Sequence, residues 1–252
     1  MKKYSGFTLI ELSVVIVIIG LIVAGVVGGQ SLVQQAKLRG LVSDINKHEI
    51  ALNTFKLEYD AIPGDFVRAS NYGLGNDGNG DKQITNGTTV PETLCVSDHL
   101  SSAGLIEGSY TCPGSYGSHA QIDDYVPKIG YSDNVFFYYH HAGPPKASSA
   151  NYFFNGLGAL DPIYLAYSGN TIGIGSVTDG GRPISGFLTV KDSVSLDSKI
   201  DDGGPGAGRV LISRGWYDAA GTCTDKHIRQ ALPVALNYSD TGKTCRLFYR
   251  IE

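Results

Sequence analysis

The chain has 252 residues, with 20 Lys and Arg against 24 Asp and Glu, a formal net charge of −4, 33 glycines and 15 tyrosines. That length allows one large domain or two small ones, with a sizeable core. No basic block lies beyond the extreme N-terminus, so nucleic-acid binding has no electrostatic support and none is expected.

Much of the apolar content sits in the first thirty residues. Lys2 and Lys3 precede Gly6, and Phe7-Thr8-Leu9-Ile10-Glu11-Leu12 opens the apolar run Ser13–Val27. Phe7 to Val27, about 21 residues at about 1.5 Å each, reaches the thickness of a bilayer's hydrocarbon core. A secretory signal has a shorter apolar region followed by a small-residue cleavage site. Here the apolar stretch is long enough to span, and the small residue Gly6 precedes it. Lys2 and Lys3 place the N-terminus on the cytoplasmic side and the rest outside. Glu11 is the one charge in the span. A carboxylate there costs on the order of 3 kcal/mol, so it needs a partner. Gly20, Ala24 and Gly28 form one small-residue ladder, and Gly25 and Gly29 a second. Such faces let helices approach closely.

The ordered set Lys2-Lys3, Gly6, Phe7-Thr8-Leu9-Ile10-Glu11 and an apolar helix resembles the N-terminus of type IV prepilins and of type II secretion pseudopilins. The resemblance implies cleavage between Gly6 and Phe7 by prepilin peptidase, then N-methylation of Phe7. It implies that Glu11 pairs with the Phe7 amine of a neighbouring subunit. The implied partners are prepilin peptidase, other pilin or pseudopilin subunits in a homo- or heteropolymer, and an inner-membrane assembly platform. The implied location is the bacterial inner membrane, single-pass, with a periplasmic head, and then a pilus or pseudopilus. Major pilins of the family carry a helix-kinking proline along this segment, and this sequence has none before Pro63. Loss of residues 1–6 removes Lys2 and Lys3 and takes the formal charge from −4 to −6.

Beyond the apolar run, Leu38, Leu41, Ile45, Leu52, Phe55 and Tyr59 recur at helical steps, with His48 filling the gap. This predicts an amphipathic continuation whose stripe lies against a sheet. One helix from about residue 8 to about residue 60 would be roughly 80 Å long, and Pro63-Gly64 is expected to end it. The predicted organisation is a leader at 1–6, a membrane or filament-core helix at 7–29, an amphipathic extension at 30–62 and a globular α+β head at 63–252 with an antiparallel sheet. Pro-Gly-Asp-Phe followed by a Gly/Asn/Asp loop resembles one group of large prepilin-like proteins.

In that loop, Asp77, Asn79 and Asp81 fall at positions one, three and five of a calcium loop, with the Gln83 carbonyl at position seven and Ile84 at the apolar position. Lys82 replaces the turn glycine and Thr88 stands where a bidentate Glu belongs. Two carboxylates bind weakly unless Asp65 or Glu92 folds in. The plain alternative is a polar turn.

Pro91 to Ala103 reads as a short helix with Gly104 at its end. Short β-formers follow: Asn134–His141, Tyr152–Phe154, Ile163–Tyr167, Thr171–Val177, Arg209–Ser213 and Cys245–Ile251. Thr189 to Lys199 reads as a second short helix, capped by Thr189 with Asp192. Asp201-Asp202-Gly203 is a second acidic pair in a glycine-rich stretch. The resemblance to pseudopilins, which can carry calcium near the C-terminus, offers calcium there, and the simpler reading is a helix end and turn. His140-His141 at a strand end is expected to point to opposite faces, and Phe136–Tyr139 to be sheet core.

Cys95, Cys112, Cys223 and Cys245 are an even set, which favours disulfides in an exported domain. Three pairings are possible. Proximity favours Cys95–Cys112 and Cys223–Cys245, each closing a loop of roughly 20 residues and worth about 3 kcal/mol. A zinc site is the rival, without C-x-x-C spacing to support it. No G-x-S-x-G, H-E-x-x-H or P-loop pattern occurs. The expected function is therefore structural: a pilus-like or secretion-filament subunit, on size a minor pilin or pseudopilin. The alternatives are a pilus-displayed, calcium-ordered adhesin and a membrane-anchored enzyme.

Overall fold

The computed structural model describes residues 6–85, 91–113, 122–142, 169–178, 182–206, 208–215, 222–224 and 235–251. A single uninterrupted helix, α1 (Leu9–Tyr59), leads into an α+β head. The head contains α2 (Glu92–Ser102), β1 (Val135–Ala142), β2 (Gly169–Thr178), β3 (Arg182–Ser185), α3 (Val190–Ile200), β4 (Val210–Arg214) and β5 (Cys245–Arg250).

Two solvents are written into α1. Its residues up to Val33 are almost all exposed, and the buried set starts only at Leu38. From there Leu38, Leu41, Ile45, His48, Ala51, Leu52 and Phe55 are buried, the spacing of one helix face. Pro63-Gly64 does not end the helix. Asp60 does so, three residues earlier, by adopting a left-handed conformation at φ 48. Gly64, at φ +87, then passes so close to α2 that a Cβ would lie 2.6 Å from the Glu92 carbonyl oxygen. Only glycine fits that crossing.

The sheet is antiparallel, with strand order β1-β2-β5-β4. The whole of β1 pairs with Gly169–Ser176 of β2. The other edge of β2 is shared: Thr171–Ile174 meets β5, and Ser176 and Thr178 meet β3. Sequence reasoning missed β3. Its Arg-Pro-Ile-Ser is short, and Pro183 is tolerated because the strand lies at an edge. Tyr152–Phe154 and Ile163–Tyr167 lie outside the described residues.

Side chains alternate across the sheet as the pleat requires. Val135, Phe137, Tyr139, Ile172, Ile174, Val210, Ile212, Leu247 and Tyr249 join the α1 stripe in the main core. Phe136, Tyr138, Leu211 and Phe248 form a second cluster on the far face, with Leu94, Ile122 and Val126. The glycines of β2 alternate with Ile172 and Ile174. Gly173 lies under the Tyr138 ring, where a Cβ would collide.

His48 is one polar stitch between helix and sheet, beside Glu49, which accepts from the Tyr249 hydroxyl (2.7 Å). The His48 Nδ1 lies 2.8 Å from the Tyr139 hydroxyl and its ring centroid 4.0 Å from that of Phe137. Burial pulls its pKa down from 6.5 to about 4. The unfolded chain therefore binds more protons than the fold between those values. His48 stabilises the fold fully above pH 6.5, and that contribution is lost as pH falls towards 4. Replacing His48 with Gln should remove on the order of 3 kcal/mol of the wild-type loss of stability over that window, measured by urea denaturation of the full chain in detergent. An unchanged pH profile would refute the assignment.

Candidate functional site

The segment after α1 folds back on α2 around two carboxylates. Asp65 accepts backbone N–H bonds from Gly80 (2.6 Å), Asp81 (3.1 Å) and Lys82 (2.7 Å). Glu92, in the first turn of α2, accepts from the amides of Asn79 (3.0 Å) and Thr85 (2.9 Å) and from the Thr85 hydroxyl. Both are buried, at 5% and 1% exposed. Asp81 completes the group: one oxygen from each of Asp65, Asp81 and Glu92 lies within 4.8 Å of the others. Burial pushes Glu92 up to about 7 against the pull of the Thr85 and Asn79 amides, and the Asp65 and Asp81 charges add to the rise. Burial also raises Asp65.

The four residues read from the calcium-loop pattern are therefore not gathered as a set. Asp77 accepts from the Ser70 N–H (2.8 Å) and hydroxyl (3.1 Å) instead. Asn79 and Asp81 use side-chain oxygens to close turns onto the Asp81 and Gln83 amides, both bonds between 2.8 and 2.9 Å. Of the four, Asp81 alone joins the acidic group. Thr88 lies outside the described residues. His99 locks the junction from below: its Nδ1 accepts from Gly64 N–H (2.9 Å), and its Nε2 lies 2.9 Å from the Asn76 carbonyl oxygen.

Two disulfides brace the head. Cys95 of α2 bonds to Cys112, and Cys223 to Cys245 at the start of β5. No thiolate is left for zinc. His140 faces Thr171 and is buried, while the neighbouring His141 meets Asn170. The pair thus divides between faces and forms no common site.

The remaining site is the N-terminal end of α1. Thr8 is the N-cap, and its hydroxyl accepts from the Glu11 N–H (3.3 Å). Glu11 answers by accepting from the Thr8 N–H and hydroxyl, both at 2.8 Å. This reciprocal box satisfies two helix-end donors and gives Glu11 a partner inside its own chain. Phe7 precedes it and is 89% exposed. The first half of α1 is long and apolar enough to cross a membrane and is not buried in the head. Beyond the helix's own nearby backbone, no atom of the described residues lies within 4 Å of a Cβ placed on Gly20, Gly25, Gly28 or Gly29, so the glycines of both small-residue ladders are uncovered among the described residues.

Residues 1–27 carry the prokaryotic N-terminal methylation motif. It is the signature of type IV pilins and pseudopilins, and it supports a processed subunit of the pilin type. The motif implies processing by prepilin peptidase and assembly with other pilin subunits. The family that bears it is structural rather than enzymatic. The apolar helix fits membrane anchoring of a pilin. No curated protein and no solved structure matches the chain.

Sequence reasoning placed Asp65 and Glu92 only conditionally. Glu92 gave one usable signal: an acid in the first turn of a helix, where the macrodipole favours it. Asp65 gave none, because its partners lie 15 to 17 residues away. Its role is testable. Asp65→Ala removes an acceptor from three amides. Gly80 keeps the backbone carbonyl of residue 65 (3.2 Å) and Asp81 keeps the Asn79 side chain, so Lys82 is the one stranded. The variant should cost about 1–3 kcal/mol, with hydrogen exchange quickened most at Lys82 and less at Gly80 and Asp81. Unaltered exchange at those amides would contradict the bracing role.

Proposed function

We propose that the chain is a structural subunit of a type IV pilus-like or type II secretion filament, in the role of a minor pilin or pseudopilin. Prepilin peptidase cuts between Gly6 and Phe7 and methylates the new Phe7 amine. The mature chain waits in the bacterial inner membrane with its head in the periplasm. An assembly platform then moves it into a polymer, where its helix packs among those of other subunits. The observation that carries this reading is the methylation motif on a helix whose first half is uncovered among the described residues.

Glu11 has a definite part in this scheme. Cleavage creates an α-amine with a reference pKa near 8, cationic at neutral pH. The Thr8–Glu11 box holds the carboxylate before assembly, and exchange to a neighbour's Phe7 amine sets the register of the bundle. The small-residue ladders allow the close approach this needs.

A second reading, a pilus-displayed binding module ordered by calcium, draws support from the junction acids. Asp65, Asp81 and Glu92 present oxygen donors of the kind calcium prefers. Their amide bonds leave further lone pairs on each carboxylate. In that reading the ion stiffens the loop that joins helix and head.

N-terminal sequencing of the protein recovered from cells should begin at N-methylated Phe7. Glu11→Ala should be cleaved normally, yet its recovery in sheared filaments should fall by about tenfold or more, the loss expected when a buried charge pair worth a few kcal/mol is broken. A first residue other than Phe7, or wild-type incorporation of Glu11→Ala, would overturn the scheme.

A further inference from the structure

Where the chain turns away from α1 it leaves an open cleft of about 540 Å³, within the size range of small-ligand sites. One side is the last turn of α1, with Tyr59 and the C-cap Asp60. Another is the loop backbone at Gly80 and Lys82, and Ile62 and Phe66 add apolar surface. The two sides are fixed to each other before any ligand arrives. Asp65 accepts from the Gly80 and Lys82 amides at 2.6 and 2.7 Å. Gly80, at φ +75, is pressed so near Val67 that a Cβ would lie 2.5 Å from its Cγ1. Tyr59 is held by Phe55 and Phe66, with ring centroids 4.5 and 5.9 Å away. A site held in this way has little order left to impose on binding, which favours affinity.

The chemistry of the cleft is mixed. Arg68 and Lys82 line it and are exposed, and neither side chain makes a hydrogen bond or ion pair with another described residue. Asp60 is exposed and equally without a side-chain partner among the described residues. Two cationic donors, one acceptor and an aromatic side chain therefore share one cleft. They match a ligand with an anionic group, hydroxyls that donate, and an apolar ring face. A sugar acid has all three. A phosphate meets the Asp60 and Asp65 carboxylates, and a polyanion meets a chain of net charge −4. A wholly apolar ligand would desolvate Arg68, Lys82 and Asp60 without replacing their water.

We propose that this cleft binds a uronic acid unit of a glycan. The sugar carboxylate accepts from the Arg68 guanidinium, whose fork suits two parallel bonds, and from the Lys82 ammonium. A ring hydroxyl donates to Asp60, and the C–H face of the sugar lies against Tyr59. The inference names a ligand class for the binding-module reading and rests on that reading, but it needs no calcium.

The test uses the full chain in detergent with chelator present, titrated by calorimetry with digalacturonic acid. Cellobiose is the neutral arm and inorganic phosphate the anion arm. Digalacturonic acid should bind with a Kd of about 1 mM or tighter, and the other two at least about tenfold more weakly. Arg68→Gln and Lys82→Gln should each weaken binding by about tenfold, with unchanged melting by circular dichroism. Lys191→Gln removes an exposed cation outside the cleft and should leave binding as it is. Absence of digalacturonate binding at about 10 mM would overturn the proposal. So would wild-type affinity in both Arg68→Gln and Lys82→Gln, or phosphate binding as tightly as the sugar acid. Melting of the same preparation with calcium chloride in place of chelator reads the calcium ordering of the Asp65 junction separately, so failure of one is not mistaken for failure of the other.

Discussion

Everything else in the molecule hangs on the burial of one helical stripe. Leu38, Leu41, Ile45, Leu52 and Phe55 are at most 2% exposed, and together they seat the second half of α1 across the sheet. Burying side chains of this size stabilises by roughly 1.5–3 kcal/mol each before entropy is charged. Among the described residues, no comparable contact exists for the first half. The helix is continuous through the change, so the head's orientation to the apolar segment is set by backbone geometry alone, without a linker.

That continuity was legible in the residues. The apolar run is unmistakable, and its replacement by a helical stripe at Leu38 follows from spacing. The strands Val135–Ala142, Gly169–Thr178, Val210–Arg214 and Cys245–Arg250 announced themselves by β-branched and aromatic residues between turn formers. What stayed hidden were features decided by distant partners. Asp60 stops the helix, although Pro63-Gly64 is the louder signal. Gly173 is placed by the Tyr138 ring. Asp77 has the right spacing for an ion loop, but the Ser70 backbone claims its carboxylate.

The head manages its polar interior by capture rather than exclusion. Asp65 and Glu92 are buried, yet their oxygens meet amides supplied by a glycine-rich loop. Arg246 is buried as well, with its Nε donating to the Arg214 carbonyl oxygen (3.0 Å) and its guanidinium 4.8 Å over the Phe248 ring. Such groups cost more than apolar residues of the same volume but admit few alternative packings. They specify one arrangement of short elements that hydrophobicity alone would leave degenerate.

The shared helix also fixes how mechanical load travels. At about 1.5 Å per residue, α1 is a rod of roughly 75 Å, and a pull on its apolar end reaches the sheet along the rod's own axis. The buried stripe then resists in shear, with all its contacts strained together, instead of peeling apart one by one. Within the head, Cys95–Cys112 and Cys223–Cys245 cap how far the chain can extend if that grip slips.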